Sequence, residues 1–164
     1  MTYLVQVSDL LVDPGAARDE SGSIDVSVSL PNAAVDGEVE FVAKLRSLSD
    51  GVVARGTVTV LATLTCKRCL TNWSEELEVA FEQVYRRHPD DEDDEMPLID
   101  GHSIDLEPAV HDEVSLSLPA APVCREDCLG LCAVCGTDLN EAPCDGHGDR
   151  SDSPFAALEQ LFDS

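Results

Sequence analysis

The residues best suited to chemistry are the seven cysteines, five of which lie with a histidine in the stretch 124–147. The other two, Cys66 and Cys69, stand far upstream. The pairs Cys66–Cys69 and Cys132–Cys135 both have C-x-x-C spacing, which lets two sulfur atoms of one tight turn bind a single tetrahedral ion. An odd number of cysteines also argues against a complete disulfide framework. The cysteines therefore predict metal binding.

The number of potential ligands predicts zinc. The seven cysteines and one nearby histidine make eight donors, which is the number that two closed four-coordinate zinc sites require. Closed sites of this kind are structural, because no coordination position is left for a substrate. We therefore expect one or two Zn²⁺ ions and no catalytic residue. The expected metal ligands are Cys66, Cys69, Cys124, Cys128, Cys132, Cys135, Cys144 and His147.

Two groupings of these ligands are compatible with their spacing, and the sequence does not decide between them. Proximity along the chain favours two sites, with Cys66, Cys69, Cys124 and Cys128 in one and Cys132, Cys135, Cys144 and His147 in the other. The first of these sites would connect the sheet to the C-terminal part of the chain. The rival grouping places one zinc among four residues and leaves the others free or weakly bound: Cys66, Cys69, Cys132 and Cys135. Gly136 follows the last C-x-x-C pair and suits a turn with positive φ.

The cysteines also permit functions other than structural zinc binding. A dithiol redox site lacks a thioredoxin-like βαβ context around either pair. A zinc-thiolate redox or zinc sensor stays open, because thiolates are the oxidisable form of cysteine. A remote alternative is a deaminase-like enzyme, since His111 and Glu113 precede Cys132-x-x-Cys135 in the order H-x-E…P-C-x-x-C. Leu131 stands where that pattern has proline, and five cysteines would have no role.

The charge of the chain restricts its partners. It has 33 acidic and 10 basic residues in 164, a formal net charge of -23. Naked nucleic acid is bound mainly through lysine and arginine, so direct binding of RNA or DNA is disfavoured and a basic protein is the more natural partner. The simpler interpretation is that the acidity only keeps the protein in solution.

The sequence shows neither a secretory signal nor a membrane-spanning segment, and this predicts the compartment of the protein. The N-terminal residues show no secretory signal, and no apolar run approaches the roughly 20 residues of a membrane-spanning helix. We expect a cytoplasmic protein, where thiols bind metal more often than they form disulfides. No membrane partner and no small-molecule substrate are expected.

Alternating apolar residues predict four strands, at 24–30, 38–48, 52–66 and 77–85. The third of these would deliver Cys66 to its end. Residues 3–12 are predicted to form an edge strand or a short docking segment. Sequential strands joined by short turns indicate an antiparallel β-rich sheet or a small partial barrel.

The helices and domains are predicted from the remaining patterns. An apolar stripe of residues four apart predicts a helix over 104–118, and a shorter pattern starting at Pro154 predicts a C-terminal helix. Between the strands and the first helix, the six carboxylates of 90–95 predict a disordered loop. The fold class is therefore α+β, with one or two packed helices and a zinc-binding C-terminal cysteine cluster. The predicted parts are a β domain at 1–88, an acidic linker at 89–103, and a helical and cysteine-rich part at 104–164 whose last helix packs back on the β domain.

Several segments form a pattern that extends over most of the chain: CKRCL at 66–70, IDL at 104–106, LP at 118–119, C-x-x-D-C-L-G-L-C-x-x-C-G-x-D-L-N at 124–140, and SPFA at 153–156 followed by Leu158. In these segments the chain resembles the YceD-like family, also called large ribosomal RNA subunit accumulation proteins. Family members with this cluster tend to end it in C-x-C. Here Gly146 stands at the place of the last cysteine, and the adjacent His147 could replace it as a ligand.

The resemblance implies a non-catalytic role in the synthesis, processing or stability of 23S ribosomal RNA during large-subunit assembly. The genes of the family commonly lie beside that of a small zinc-binding protein of the large subunit, so a zinc-chaperone role is a further possibility. Together with the charge of the chain, the resemblance indicates partners in ribosome assembly or rRNA processing, contacted through a basic ribosomal protein.

Overall fold

The computed structural model describes residues 2–89, 96–144, 146 and 147. These residues form a β-rich fold with two antiparallel sheets and two helices. The acidic run at 90–95 and the predicted C-terminal helix lie outside the described residues. In chain order the elements are β1 (Leu4–Gln6), α1 (Ser8–Val12), β2 (Ala17–Leu30), β3 (Ala33–Leu48), β4 (Gly51–Thr65), β5 (Asn72–Arg86), β6 (Ser103–Asp105) and α2 (Glu107–Ser117).

The main sheet has the order β2-β3-β4-β5, and each strand pairs antiparallel with the next one along the chain. Successive residues of a strand point to opposite faces, so the alternation in the sequence buries one face only. In β4 the predicted buried residues are all in the core: Val58, Val60, Ala62 and Leu64. The order of strands is linear, and β2 does not pair with β5 within the described residues, so the alternative of a small barrel is not seen.

Two of the strands begin earlier than the alternation predicts. β2 starts at Ala17 and β5 at Asn72, in polar sequence. None of the first seven residues of β2 is buried, yet their backbones pair with β3 from Ala17↔Arg46 onward. Backbone hydrogen bonds do not require apolar side chains, so these ends left no signal in the sequence. Leu30, predicted to be buried, is 37% exposed at the end of β2.

The first twelve residues form part of a second layer. The edge strand predicted there is β1, which pairs with β6 and leads into the short helix α1. Ile104 and Asp105, predicted to start a helix, belong to β6 instead. Asp105 Oδ1 accepts hydrogen bonds from the backbone N–H groups of Glu107 and Tyr3. The helix begins later than predicted because Ser103–Asp105 pair with β1, and the Asp105 carboxylate then holds the N–H group of Glu107 at the start of α2.

The helix α2 packs on the buried face of the main sheet, against β2 and β5. Its predicted apolar stripe is confirmed, because all four residues are buried: Leu106, Val110, Val114 and Leu118. The helix α1 contacts β3 and β4 on the same side. Neither helix has the length or apolarity to span a membrane.

The three-part division of the chain stays a prediction. β1 lies in the first predicted part, whereas its partner β6 begins at Ser103, at the end of the predicted linker. Side chains of β1, β6, α2 and the main sheet share one apolar cluster. Trp73, at the start of β5, packs both against this core and against the buried cysteines beyond β4.

Tyr85 makes the stability of the fold depend on pH in the alkaline range. Its hydroxyl donates a 2.6 Å hydrogen bond to the carbonyl oxygen of Asp105, and burial, followed by the charge of Asp105, raises its pKa well above the ordinary value. Its neutral form therefore stabilises the fold below about pH 10, where an unfolded tyrosine starts to ionise, and this contribution is lost at higher pH. We expect Tyr85→Phe to lower the free energy of unfolding by about 1 kcal/mol at pH 7. Urea titrations should show a smaller difference in the free energy of unfolding between wild type and Tyr85→Phe at pH 10.5 than at pH 7. An equal difference at the two pH values would contradict the assignment.

Candidate metal centres

The first C-x-x-C turn follows directly from β4. Cys66 is fully buried at the end of the strand, and its carbonyl oxygen accepts a 2.9 Å hydrogen bond from Leu70 N. Its own N–H donates to Thr71 O, also at 2.9 Å. Leu70 has φ of 62°, the one positive φ outside glycine in the described part of the chain. These bonds fold the turn so that Cys69 points back toward Cys66.

The second C-x-x-C turn repeats this geometry. Gly136 N donates to Cys132 O at 2.9 Å, and Cys132 N donates to Thr137 O at 2.8 Å. Gly136 has φ of 74°, as predicted, and a short antiparallel bridge pairs Leu131 with Asp138 around the turn. The two turns share the sequence pattern C-x-x-C-(L/G)-T, with glycine in one where leucine stands in the other.

The first group of donors joins the first turn to the segment after α2. The sulfur atoms of Cys66, Cys69, Cys124 and Cys128 all lie within 4.8 Å of one another. Cys66 Sγ is 3.9 Å from Cys128 Sγ, and Cys69 Sγ is 3.6 Å from Cys124 Sγ. A tetrahedral zinc with Zn–S bonds of about 2.3 Å requires sulfur atoms roughly 3.8 Å apart, whereas a disulfide requires about 2.05 Å. The spacing fits a shared ion and excludes disulfide bonds.

The second group is formed by Cys132, Cys135, Cys144 and His147, whose donor atoms also lie within 4.8 Å of one another. Cys135 Sγ is 3.7 Å from Cys144 Sγ. His147 Nε2 lies 2.9 Å from Cys144 Sγ and 3.2 Å from Cys132 Sγ. Gly146 has φ of 89°, a conformation that favours glycine and that places His147 beside the sulfur atoms. Both groups therefore have a donor set that could hold a metal ion.

The two groups differ in burial. Cys66, Cys69 and Cys128 are buried and form a small apolar cluster with Val123 and Leu131. Cys135 and His147 in the second group are exposed, and none of the four donors of that group is buried. Water and small reagents therefore reach the second group more readily than the first.

The thiols of the two turns are held in environments that favour the thiolate. Hydrogen bonding to the side chain and then the backbone of Thr137 lowers the pKa of Cys135 to about 6. The same contacts with Thr71 are the main cause of the lowered pKa of Cys69. The Thr hydroxyl oxygens lie 3.1 Å from Cys135 Sγ and 3.3 Å from Cys69 Sγ. A thiolate can accept a hydrogen bond from the hydroxyl group, so the threonine that follows each C-x-x-C pair by two residues stabilises the thiolate of its own turn.

Cys66 and Cys124 are shifted in opposite directions. Burial is the largest single effect on Cys66 and raises its pKa, but backbone hydrogen bonds from Cys124, Cys69 and Arg68 together outweigh it and lower the pKa to about 6. Desolvation of its thiol raises the pKa of Cys124 to about 12, with further contributions from the neighbouring thiols, although the residue as a whole is exposed. Four thiols this close cannot all ionise without a compensating cation.

Arg68 and Asn140 tie the two turns together. Arg68 Nη1 donates to the carbonyl oxygens of Glu126 and Cys128, at 3.0 and 2.9 Å. Arg68 O in turn accepts a 3.0 Å hydrogen bond from Leu131 N, just before the second turn. Asn140 Nδ2 lies 3.5 Å from Cys128 Sγ, and its Oδ1 accepts a 2.9 Å hydrogen bond from Leu129 N. This hydrogen-bond network thus connects the first turn and Cys128 to residues that flank the second turn.

The structure assembles the eight predicted donors into the two sets that proximity along the chain favours, and it does not assemble the rival set. Cys66 and Cys132 belong to different groups. His111, the histidine of the deaminase-like alternative, belongs to neither group, and its Nε2 lies 3.3 Å from Ser27 O on β2. That either group binds a metal, and which metal, stays a prediction. The supporting threonines were missed in the sequence, although the repeated C-x-x-C-(L/G)-T pattern could have indicated them.

The turn residue after each C-x-x-C pair offers a matched pair of substitutions. Leu70 is 60% exposed, so Leu70→Gly removes little packing and relieves a left-handed conformation. We expect it to raise the free energy of unfolding by about 0.5 kcal/mol, and Gly136→Ala to lower it by about 1 kcal/mol. No atom would clash with a Cβ at Gly136, so its effect reports the backbone alone. Urea denaturation of both variants checks the signs, and a stabilised Gly136→Ala would refute the assigned φ.

Comparison with models of known protein families identifies the family to which this chain belongs. The family model described as large ribosomal RNA subunit accumulation protein YceD matches residues 54–162, from within β4 to beyond the second group. The chain belongs to this family. The matched range includes all eight donors, so the predicted membership is confirmed over the part of the chain that carries them.

Relatives among curated proteins come from mycobacteria. An uncharacterized protein of Mycobacterium leprae is 38% identical over 125 residues, covering 73% of this chain and 57% of the relative. An uncharacterized protein of Mycobacterium tuberculosis is 36% identical over 125 residues, covering 73% of this chain and 59% of the relative. The chain therefore spans less than two thirds of the length of these relatives. No solved structure matches it.

Proposed function

We propose that this protein is a non-catalytic zinc-binding factor in ribosome biogenesis that supports 23S rRNA synthesis, processing or stability during large-subunit assembly. The observation that carries the proposal is membership of the large ribosomal RNA subunit accumulation family over residues 54–162. The zinc-binding part of the proposal is supported by the two donor groups, which lie within that range.

Zinc is the metal that suits these donors. Thiolate and imidazole ligands in sets of four, Cys₄ and Cys₃His, are typical of structural zinc. Each set would fill all four positions of a tetrahedral ion, so no position remains for water or substrate. Bound zinc would supply cross-links between distant parts of the chain. This argues for a scaffold rather than an enzyme, in the reducing cytoplasm where thiols stay available for metal.

A basic protein is the partner that suits the charge. With a net charge of -23, the chain repels a phosphate backbone and attracts lysine- and arginine-rich proteins. The protein would therefore act on rRNA through a basic ribosomal protein or processing factor. Capture from lysate at moderate salt, with and without nuclease, tests this route. Loss of all partners after nuclease treatment would mean that RNA is the contact.

The experiment for the function as a whole is ribosome-gradient profiling of a strain that lacks the gene. We expect free large subunits and 23S rRNA to fall relative to small subunits and 16S rRNA, and the wild-type gene to restore them. A strain with a normal profile and normal 23S rRNA would refute the proposed role.

A second candidate is a zinc-thiolate sensor or zinc chaperone, favoured by the exposure of the second group. Its test is exposure of the purified protein to mild peroxide, followed by reduction. Reversible release of one metal ion without unfolding would support the sensor. Retention of both ions, or release only on unfolding, would leave the scaffold as the remaining function.

A further inference from the structure

One face of the main sheet has no partner within the described residues. The helices and β1–β6 cover the other face, so we call this one the outer face, made of the outward residues of β2 to β5. Val42 and Leu61 lie in the middle of its strands and are 60% and 65% exposed. A solvated sheet face normally carries polar residues at such positions. Isolated exposed aliphatic residues are common on protein surfaces, so Val42 and Leu61 supply apolar contact area, and the charges of this face are what indicate a partner.

An open groove crosses the outer face. Ser21, Val42 and Thr57 are direct cross-strand neighbours in β2, β3 and β4, and their small side chains form the floor. The groove has a volume of about 530 Å³ and is bordered by Glu40 and Thr59 on one side. It runs across the strands, so a partner lying in it would contact at least three of them.

The charge of the outer face is divided by the groove. On one side, Lys44 and Arg55 are paired with Asp19 and Glu82, at 3.5 and 2.7 Å. On the other side every charged side chain of the outer face is an exposed carboxylate, and none of these forms an ion pair with a basic side chain within the described residues: Asp25, Asp36, Glu38, Glu40, Glu76 and Glu78.

The carboxylates of the outer face repel one another and thereby destabilise the sheet when no partner is bound. Asp25 and Glu38 are directly opposite in the register of β2 and β3, and Glu40 and Glu78 flank Thr59 in the same row. Like charges directly opposite in a sheet are destabilising. A basic partner would remove this repulsion, whereas solvent only screens it.

We propose that the outer face binds a basic, extended segment of a protein partner. Its lysine or arginine side chains would contact the six carboxylates, and its aliphatic side chains would pack on Val42 and Leu61. The inference rests on the proposed function for the process involved, and it adds the contact surface. A second copy of the chain is disfavoured because carboxylates would face carboxylates, and nucleic acid is disfavoured because it is an anion.

The test uses the full-length chain and a fluorescent twelve-residue peptide of alternating lysine and valine. The variant carries Glu38→Gln, Glu40→Gln and Glu78→Gln. Its matched control carries Asp13→Asn, Asp50→Asn and Asp112→Asn, which change the net charge equally at exposed sites away from the outer face. Anisotropy titrations should show about tenfold weaker binding in the variant. The control should change less than twofold. Equal weakening in both, or no binding to wild type, overturns the proposal.

Two further measurements identify the occupant. Backbone amide shifts on adding the peptide should fall on β2 to β5, and shifts elsewhere overturn the proposal. Sedimentation of the chain alone should give a monomer. A dimer that dissociates in the triple variant would assign the outer face to a second copy instead, and binding of a 23S rRNA fragment there would assign it to RNA.

Complementation separates this inference from the proposed function. In the deletion strain, the control should restore large subunits and the outer-face variant should not. Restoration by both variants overturns the surface and leaves the function intact. A deletion strain without a defect refutes the proposed function. The peptide titration still tests whether the outer face binds a basic segment.

Discussion

Replacing Cys66 by serine is expected to remove one metal ion per chain and to lower the free energy of unfolding by about 3–5 kcal/mol, the cost of leaving a buried charged group without its partner. Cys66 is fully buried and lies 3.9 Å from Cys128 Sγ, so serine would leave the other three thiolates with an incomplete ion. For a chain of this size the melting temperature should fall by roughly 10 °C. Elemental analysis and urea denaturation measure both effects.

Cys144→Ser is the matched control for this prediction. Cys144 belongs to the second group, whose donors are not buried and come from a short stretch of chain. The variant should also lose one ion, but at a cost of about 1 kcal/mol, because water can solvate the ligands that remain. Full metal content and stability in Cys66→Ser would contradict the role of the first group. Loss of both ions from either variant would contradict two separate sites.

The sequence predicts those parts of the fold in which burial follows a regular period. Leu106 and Val114 mark the helix α2, and Val58 and Leu64 mark the core face of β4, because one face of each element is apolar. The sequence does not predict where a strand or helix begins in polar sequence. β2 extends to Ala17 through backbone pairing alone, and α2 begins after Asp105 because Ser103–Asp105 pair with β1.

The candidate site could be predicted in its donor types and grouping, since spacing along the chain limits which sulfur atoms one turn can bring together. Its supporting network could not. Asn140 reaches Cys128, and Arg68 reaches Glu126, across segments that only the folded chain brings together. The groove on the outer face is likewise a property of register, because Ser21 and Thr57 are neighbours only through Val42.

The difference in burial between the two groups makes the order of metal loss predictable. A chelator can remove an ion only when the donors open, and local opening is easiest where few buried contacts hold a segment. The second group, with its exposed Cys135 and His147, should lose its ion first. The first group, closed by Cys66 and Cys128 in an apolar cluster, should follow only as the joint between sheet and tail opens.

We therefore expect excess chelator to release two ions in two phases whose rates differ by about 100-fold, which corresponds to roughly 3 kcal/mol in the free energy of opening. A coloured zinc indicator follows the release, and circular dichroism follows the fold. Cys144→Ser should lack the fast phase and Cys66→Ser the slow one, so each phase is assigned to its group. The fold should survive the first phase and loosen in the second, because the first group, unlike the second, connects the end of β4 to the segment after α2. Release of both ions at one rate, or a fast phase that persists in Cys144→Ser, would show that burial does not govern access to the metal.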